Sequence, residues 1–346
     1  MRVLIVKLWA MGDVIMAISM LPALKTLGAD VEVTWVVGSG SKPLLELFDD
    51  VHRLITVDEK RMLRGGAVAR GREILALWRQ IAADSYDLVV TGHSDARYSI
   101  LTLPVRGKVR RSFTQAARSG PIAGRYHGAE YARLILGKDG PTAPSFDLPE
   151  ISRPLPAAPF EPDESPVVVL APGGAKNTLR DDRLRRWPVE MYAELARLEA
   201  ARGRRIVLVG GEGDRHFSPH FSALPVIDLI ARTSVAQLAA TLRAARVVVT
   251  HDSLALHLSR LVRTPVVAIF GPTSPLEKVP HQSIGDGPHA TGSVSVLWGG
   301  ADLACRPCYD GVNYFACDVN QCMRSISPRQ VSESIERMLA GEKTGG

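Results

Sequence analysis

No apolar run in the chain approaches the roughly 18 residues that a membrane-spanning helix needs; runs such as Val167 to Ala171 have the length of a buried strand. A cleavable leader is not expected either: Lys7 and Asp13 interrupt what would be its apolar core, and Val3 to Val6 reads better as a strand. The expected location is therefore the cytoplasm. Cysteine is scarce, four residues in 346, and in a reducing compartment so few argue against a disulfide framework. Two common nucleotide-binding fingerprints are missing. The connection Lys7 to Asp13 holds a single glycine where a dinucleotide turn needs three, and the spacing G-x-x-x-x-G-K-[ST] does not occur.

Acidic residues are absent from one long stretch. Between Ala96 and Ala129 there is no Asp or Glu, while Arg97, Arg106, Lys108, Arg110, Arg111, Arg118 and Arg125 supply seven positive charges. The whole chain carries +6, so the remainder sums to −1 and the excess is local. Such a stretch suits nucleic acid, an anionic membrane surface or an acidic substrate; a solvated basic loop is the plain alternative.

What is present excludes disorder: 46% of the residues are hydrophobic and 23% charged, with length enough for two domains. Strand and helix patterns alternate from the start. Arg2 to Val6, Val31 to Val37 and Tyr86 to Val90 read as strands, and Asp13 to Leu27 has apolar residues at helical spacing. Five prolines between Pro154 and Pro166 disfavour helix and central strand, which marks 154–166 as a linker after a first domain, 1–153. The alternation then restarts across a second domain, 167–326. Strands are expected at Val167 to Leu170, Arg205 to Val209, Arg246 to Thr250 and Pro265 to Phe270, with helices at Pro188 to Ala201 and Val235 to Ala244. Ser327 as N-cap and Pro328 at the first helical position open a closing helix in 327–346. The fold class is α/β with two doubly wound, Rossmann-like domains facing across a cleft, and ligands belong at the carboxyl ends of the strands.

Several residues at those strand ends carry chemistry. Gly12 permits a tight turn, and Asp13 is either a helix N-cap or a carboxylate general base. After the first strand of the second half comes Ala171-Pro172-Gly173-Gly174-Ala175-Lys176-Asn177-Thr178. The paired glycines let backbone amides approach an anion, while Lys176 and Thr178 add a charge and a hydroxyl. Arg183, Arg185 and Arg186 offer forked donors to a diphosphate; Trp187 beside them suits core packing at a helix entry. Asp214, in the turn Gly210-Gly211-Glu212-Gly213-Asp214, stands where ribose hydroxyls are often met, or in a plain loop. Asp252 or Ser253 caps a helix that carries His257 one turn on, and the amides of that helix start form an anion site. His257 reads equally as a packed polar residue.

Taken in order, these residues resemble a family. Met11-Gly12-Asp13, Leu21-Pro22-Ala23-Leu24, Pro172-Gly173-Gly174, Arg186-Trp187-Pro188, Val209-Gly210-Gly211, Asp252 with His257, and Phe270-Gly271-Pro272-Thr273 are similar to the heptosyltransferases of glycosyltransferase family 9. The resemblance spans nearly the whole chain. It implies a GT-B fold, an acceptor-binding N-terminal domain, a nucleotide-sugar-binding C-terminal domain, and inverting transfer without a metal; the absence of a D-x-D tripeptide agrees. By position, Asp13 matches the family's base, and Arg185 stands where a phosphate-contacting lysine is usual. Asp252, Ser253 and His257 fall on D-T-G-x-x-H with Leu254 in place of glycine. Thr91-Gly92-His93 replaces a usual Asp-x-Gln-Gly, so His93 joins Gly12, Arg106, Arg110 and Arg111 as candidate acceptor contacts.

The implied reaction moves heptose from ADP-heptose to a sugar of the lipopolysaccharide inner core. The implied partners are a nucleotide-sugar donor and an acidic glycolipid met by peripheral contact with the inner membrane; nucleic acid is not expected. Another nucleotide sugar, a protein acceptor, or a non-catalytic binding protein remain open. No catalytic cofactor is implied. Cys305, Cys308, Cys317 and Cys322 hold every cysteine within eighteen residues, a grouping that suits structural zinc or iron, with reduced free thiols as the alternative. In relatives resembling protein heptosyltransferases, such cysteines form an iron-binding finger.

Overall fold

The computed structural model describes residues 1–28, 30–113, 121–137, 148–161, 165–176, 180–285, 294–309, 314–315 and 317–341. Two units, Met1–Pro154 and Leu155–Gly346, divide the chain.

The first unit is a five-stranded parallel sheet of β1 (Arg2–Val6), β2 (Glu32–Gly38), β3 (Arg53–Val57), β4 (Ser85–Thr91) and β5 (Arg106–Ser112), in the order β3-β2-β1-β4-β5. β1 is apolar on both faces because helices cover both sides of a parallel sheet. Leu4, Val6, Val36, Ile55 and Val89 pack with Leu77 and Ile81 of the helix Ala67–Ile81, each fully buried aliphatic contributing about 1.5–3 kcal/mol.

Two expectations are corrected here. The helix expected over Asp13 to Leu27 is two helices, Met11–Ala17 and Met20–Lys25. Pro22 has no N–H for the Ile18 carbonyl, which instead accepts from Leu21 at 2.9 Å. The basic stretch, whose plain reading was a solvated loop, contains the edge strand β5. Its sequence hid it, since Arg106, Lys108, Arg110 and Arg111 interrupt any apolar pattern; charge on an edge strand blocks pairing with another chain.

The second unit has six parallel strands: β6 (Val167–Ala171), β7 (Arg205–Leu208), β8 (Val226–Asp228), β9 (Val247–His251), β10 (Val266–Phe270) and β11 (Val294–Trp298), ordered β11-β10-β9-β6-β7-β8. Within the proline stretch, the Glu161 carbonyl accepts from the Arg205 guanidinium of this unit at 2.7 Å. The closing helix, Pro328–Gly341, starts at the expected cap: Ser327 Oγ accepts from the Gln330 amide at 3.3 Å and the Gln330 side chain accepts from the Ser327 amide at 2.8 Å. It packs on the helix Val189–Ala201, with Arg204 bridging to Glu336 at 2.6 Å. Trp187 is core, 1% exposed, its indole N–H bound to the Ile326 carbonyl at 2.9 Å. No helix among the described residues is long and apolar enough to cross a membrane.

In both sheets the strand order reverses beside the first strand, between β1 and β4 and between β6 and β9. At such a point adjacent loops diverge and leave room for a ligand.

Candidate functional site

At the first reversal, the loop after β1 turns through Ala10, whose φ of 56° lies in the left-handed region. The tight turn is thus made by Ala10; Gly12, expected to make it, is already helical. Asp13 is the third residue of its helix, so it does not cap it. Its Oδ2 lies 3.5 Å from Lys7 Nζ, and the two side chains are 38% and 5% exposed. Burial works against the Lys7 charge, but the Tyr131 phenol and Asp13 outweigh it and raise the pKa. Burial in turn pushes Tyr131 up to about 12. Lys7 and Tyr131 fit closely over Gly92, where a Cβ would stand 3.3 Å from the Tyr131 ring and 3.5 Å from Lys7 Cδ. The result is a partly exposed carboxylate beside a buried ammonium.

His93 is engaged within the unit. It is buried, its Nε2 accepts the Leu8 amide at 3.0 Å, and its ring stacks on Tyr98 at 3.9 Å. Burial, then the Lys7 charge, holds its pKa well below the usual value. The ring is neutral and ties the β1 and β4 loops together. Arg110 and Arg111 also act within the unit: Arg110 donates to the Thr102 carbonyl at 3.2 Å and to that of Val105, and Arg111 to that of Ile135. Arg106 is exposed on the edge strand. Lys108 pairs with Asp87 at 2.7 Å and Arg97 with Asp95 at 2.5 Å, while Arg118 lies outside the described residues.

The second reversal is more crowded. Gly173 and Gly174 follow β6, with Gly174 at φ +86° and a Cβ there 3.2 Å from that of Ser253, so glycine lets the loops after β6 and β9 meet. Asp214 is buried, and its two oxygens accept the amides of Gly174 at 3.0 Å and Gly211 at 2.8 Å. It clamps the glycine loops to each other, and the ribose contact expected of it is not where its oxygens are engaged. Lys176 lies half exposed, 3.7 Å from Asp181; Thr178 lies outside the described residues.

Arg185 is the hub. It pairs with Asp252 at 3.4 Å and Asp182 at 3.2 Å, and its Nε donates to Tyr314 Oη at 2.8 Å. Burial opposes its charge, but Asp252, Tyr314 and Asp182 outweigh that and raise its pKa. Burial alone would raise the pKa of Asp252, but Arg185, Lys278 and His257 reverse the sign and keep the carboxylate ionised. His257 is buried with Nε2 4.0 Å from Asp252 Oδ1. Ser253 gives no side-chain cap to the helix Leu254–Leu261; its hydroxyl pairs with that of Thr250 at 2.9 Å. The amides of that helix start therefore lack a side-chain acceptor, beside a fixed cation and a side-chain-free glycine turn. Leu254, in place of glycine, is the first helical residue and half-buried.

The cysteines depart from the expected tetrahedral site. Cys305 is exposed, Cys317 half-buried, and Cys308 and Cys322 buried. Cys322 is fixed from below, since a Cβ on Gly271 would stand 2.6 Å from its sulfur. Burial, with Cys305 and Cys317 nearby, raises the Cys308 pKa, and burial pushes Cys322 up to about 11, so both are thiols at neutral pH. Among the described residues no three His, Cys, Asp or Glu side chains converge closely enough, as placed, to hold a metal ion.

Sequence reading passed over Lys7, Tyr131, Lys278, Tyr309 and Tyr314. Lys7 was readable as a charge at the end of an otherwise apolar strand; the others lie far along the chain from the groups they face.

The comparisons agree with this architecture. Residues 74–284 match glycosyltransferase family 9 (heptosyltransferase). Lipopolysaccharide heptosyltransferase 1 of Pseudomonas aeruginosa is 25% identical, with 99% of each chain covered. The structure of E. coli ADP-heptose lps heptosyltransferase II superposes with a TM-score of 0.73 at 20% identity, covering 99% of this chain and all (100%) of that one. E. coli heptosyltransferase WaaC with ADP gives 0.70 at 21% identity, covering 98% and 100%. These likenesses carry the GT-B fold expected from the motifs. With well over half the chain matched, the protein belongs to glycosyltransferase family 9, the heptosyltransferases.

Proposed function

We propose that the protein transfers a heptose from ADP-heptose to a sugar of the lipopolysaccharide inner core, inverting the anomeric carbon without a metal in the chemical step. The observation that carries this reading is the Arg185–Asp252 pair at the start of the helix Leu254–Leu261, beside the Gly173-Gly174 turn. A cation, backbone amides and a passage free of side chains are what a diphosphate needs. The names of the relatives supply the sugar and the acceptor class.

In the proposed mechanism Asp13 takes the acceptor hydroxyl's proton as that oxygen attacks the anomeric carbon from the face opposite the nucleotide. A carboxylate of ordinary basicity, about pKa 3.9, is far too weak to deprotonate a sugar hydroxyl beforehand, so the proton moves late, as the new bond forms. Lys7 holds the carboxylate ionised and oriented meanwhile. The departing ADP gathers charge as the old bond breaks, and Arg185, Lys176 and the helix start at Asp252–Ser253 meet that charge. The acceptor is acidic and lipid-anchored, reached at the cytoplasmic face of the inner membrane, with Arg106 as the exposed cation among its contacts.

The test is transfer by purified protein to a heptose-free core lipid, with ADP-heptose, ADP-glucose and UDP-glucose offered separately. The expected product gains one heptose, from ADP-heptose alone, with inverted anomeric configuration by NMR. Transfer from a different nucleotide sugar, or retention of configuration, would contradict the proposal.

A further inference from the structure

Described residues of the segment 305–322, set apart in the sequence by its cysteines, meet the Arg185 loop at several points. The amides of Cys308 and Tyr309 both donate to the Pro272 carbonyl at 3.1 Å, which fixes the segment on the Phe270-Gly271-Pro272-Thr273 turn. Tyr309 and Tyr314 pair across an antiparallel bridge with ring centroids 4.6 Å apart. Tyr314 Oη accepts from Arg185 Nε at 2.8 Å, and the Arg185 guanidinium lies 5.1 Å from the centre of the Tyr309 ring. Tyr309 Oη accepts from Arg180 at 3.1 Å, and the Asn320 side chain donates to the Arg186 carbonyl at 2.9 Å. Arg180, Arg185 and Arg186 are thus each in contact with this one segment.

The effect on Arg185 is geometric. Its Nε is taken by Tyr314 and its two terminal nitrogens face Asp252 and Asp182, so every arm of the fork has a partner. An arginine has five N–H donors; with Nε given to Tyr314, the terminal N–H groups, in ion-pair contact with Asp252 and Asp182, are those that can turn to an anionic oxygen. The ring of Tyr309 adds a face that attracts the cation and limits its swing. We infer that Tyr309 and Tyr314 are positioning residues for the donor diphosphate, holding the Arg185 fork in its binding orientation, so that these two tyrosines are a functional part of the donor site. This rests on the donor reading above.

The experiment is titration calorimetry with ADP alone on the full chain and its variants, with kinetics on both substrates. Tyr314→Phe keeps the ring and removes the acceptor; Tyr309→Leu removes the aromatic face. Each is expected to weaken ADP binding and raise the donor KM by about three- to tenfold, with the acceptor KM unchanged. Tyr309→Phe, which keeps the ring, should recover most of what Tyr309→Leu loses. In an Arg185→Ala background both effects should vanish, because the tyrosines act through that side chain. Full-size effects in that background, or ADP affinity unaltered by either substitution, would overturn the inference and leave the donor reading standing. Failure of the unaltered protein to bind ADP would overturn both.

Discussion

The two strand-order reversals share a topology and part company in their electrostatics. At the first, the Asp13 carboxylate is 38% exposed and lies 3.5 Å from the buried ammonium of Lys7. At the second, Asp252 is 4% exposed and set among Arg185, Lys278 and His257. A carboxylate with one open side can accept a proton from a substrate. A carboxylate sunk between Arg185 and Lys278 is out of a substrate's reach; it serves to hold those cations charged and aimed. The fold provides two equivalent places for ligands, and on the proposed mechanism burial decides which one does acid-base work and which one binds an anion.

The largest effect that would sharpen this contrast is on turnover. Asp13→Ala should lower kcat by about 10²- to 10⁴-fold, the usual worth of a positioned base, in the core-lipid transfer assay. Turnover kept within a few fold of the unaltered enzyme would remove Asp13 from the chemistry. Next is donor affinity: Arg185→Ala should weaken ADP binding by about a hundredfold in calorimetry, and Arg185→Lys should recover part of it. Equal affinity in Arg185→Ala would break the assignment of the second reversal.

A third expected effect concerns pH. His251, wholly buried with Nδ1 3.2 Å from Tyr192 Oη, has its pKa lowered to about 3, chiefly by burial. Above about pH 6.5 the ring is neutral whether the unit is folded or unfolded, and its full contribution is present. As pH falls below that, the unfolded chain takes up a proton that the folded one refuses, and stability is lost down to the folded value. Between pH 7.5 and 5 the loss is about 2 kcal/mol from this residue. Urea unfolding of His251→Gln should show a correspondingly shallower decline; an unchanged decline would mean that His251 titrates normally. The smallest effect is at the edge strand. Arg106→Ala should lower acceptor kcat/KM by about two- to threefold and leave ADP affinity alone. Arg110 and Arg111 make poorer probes, because their bonds to backbone carbonyls fasten β5.

Much of this was legible in the sequence, for reasons that also explain the gaps. β1, β6, β9 and β10 are apolar runs ended by turn residues, and a parallel sheet buries such strands on both faces, so composition alone marks them. The Gly173-Gly174 turn and the start of the helix after Ser253 are likewise local features. β5 was hidden because an edge strand needs no apolar pattern, and Arg106-Gly107-Lys108 suits an edge better than a centre. The left-handed turn at Ala10 was hidden because glycine is the residue that normally signals one, and Gly12 stood close by. Asp214 was read by its position after a strand, which cannot tell a ribose contact from a carboxylate holding two backbone amides. The tyrosines meeting Arg185 stand more than a hundred positions from it, and no local pattern encodes that approach.

The most direct measurement sets the two reversals against each other: titration calorimetry of ADP into the unaltered protein, Asp13→Ala and Arg185→Ala, from matched preparations. If base and anion site are separate, Asp13→Ala binds ADP as the unaltered protein does and Arg185→Ala binds it about a hundredfold more weakly. Loss of ADP affinity in Asp13→Ala with none in Arg185→Ala would contradict the division of roles.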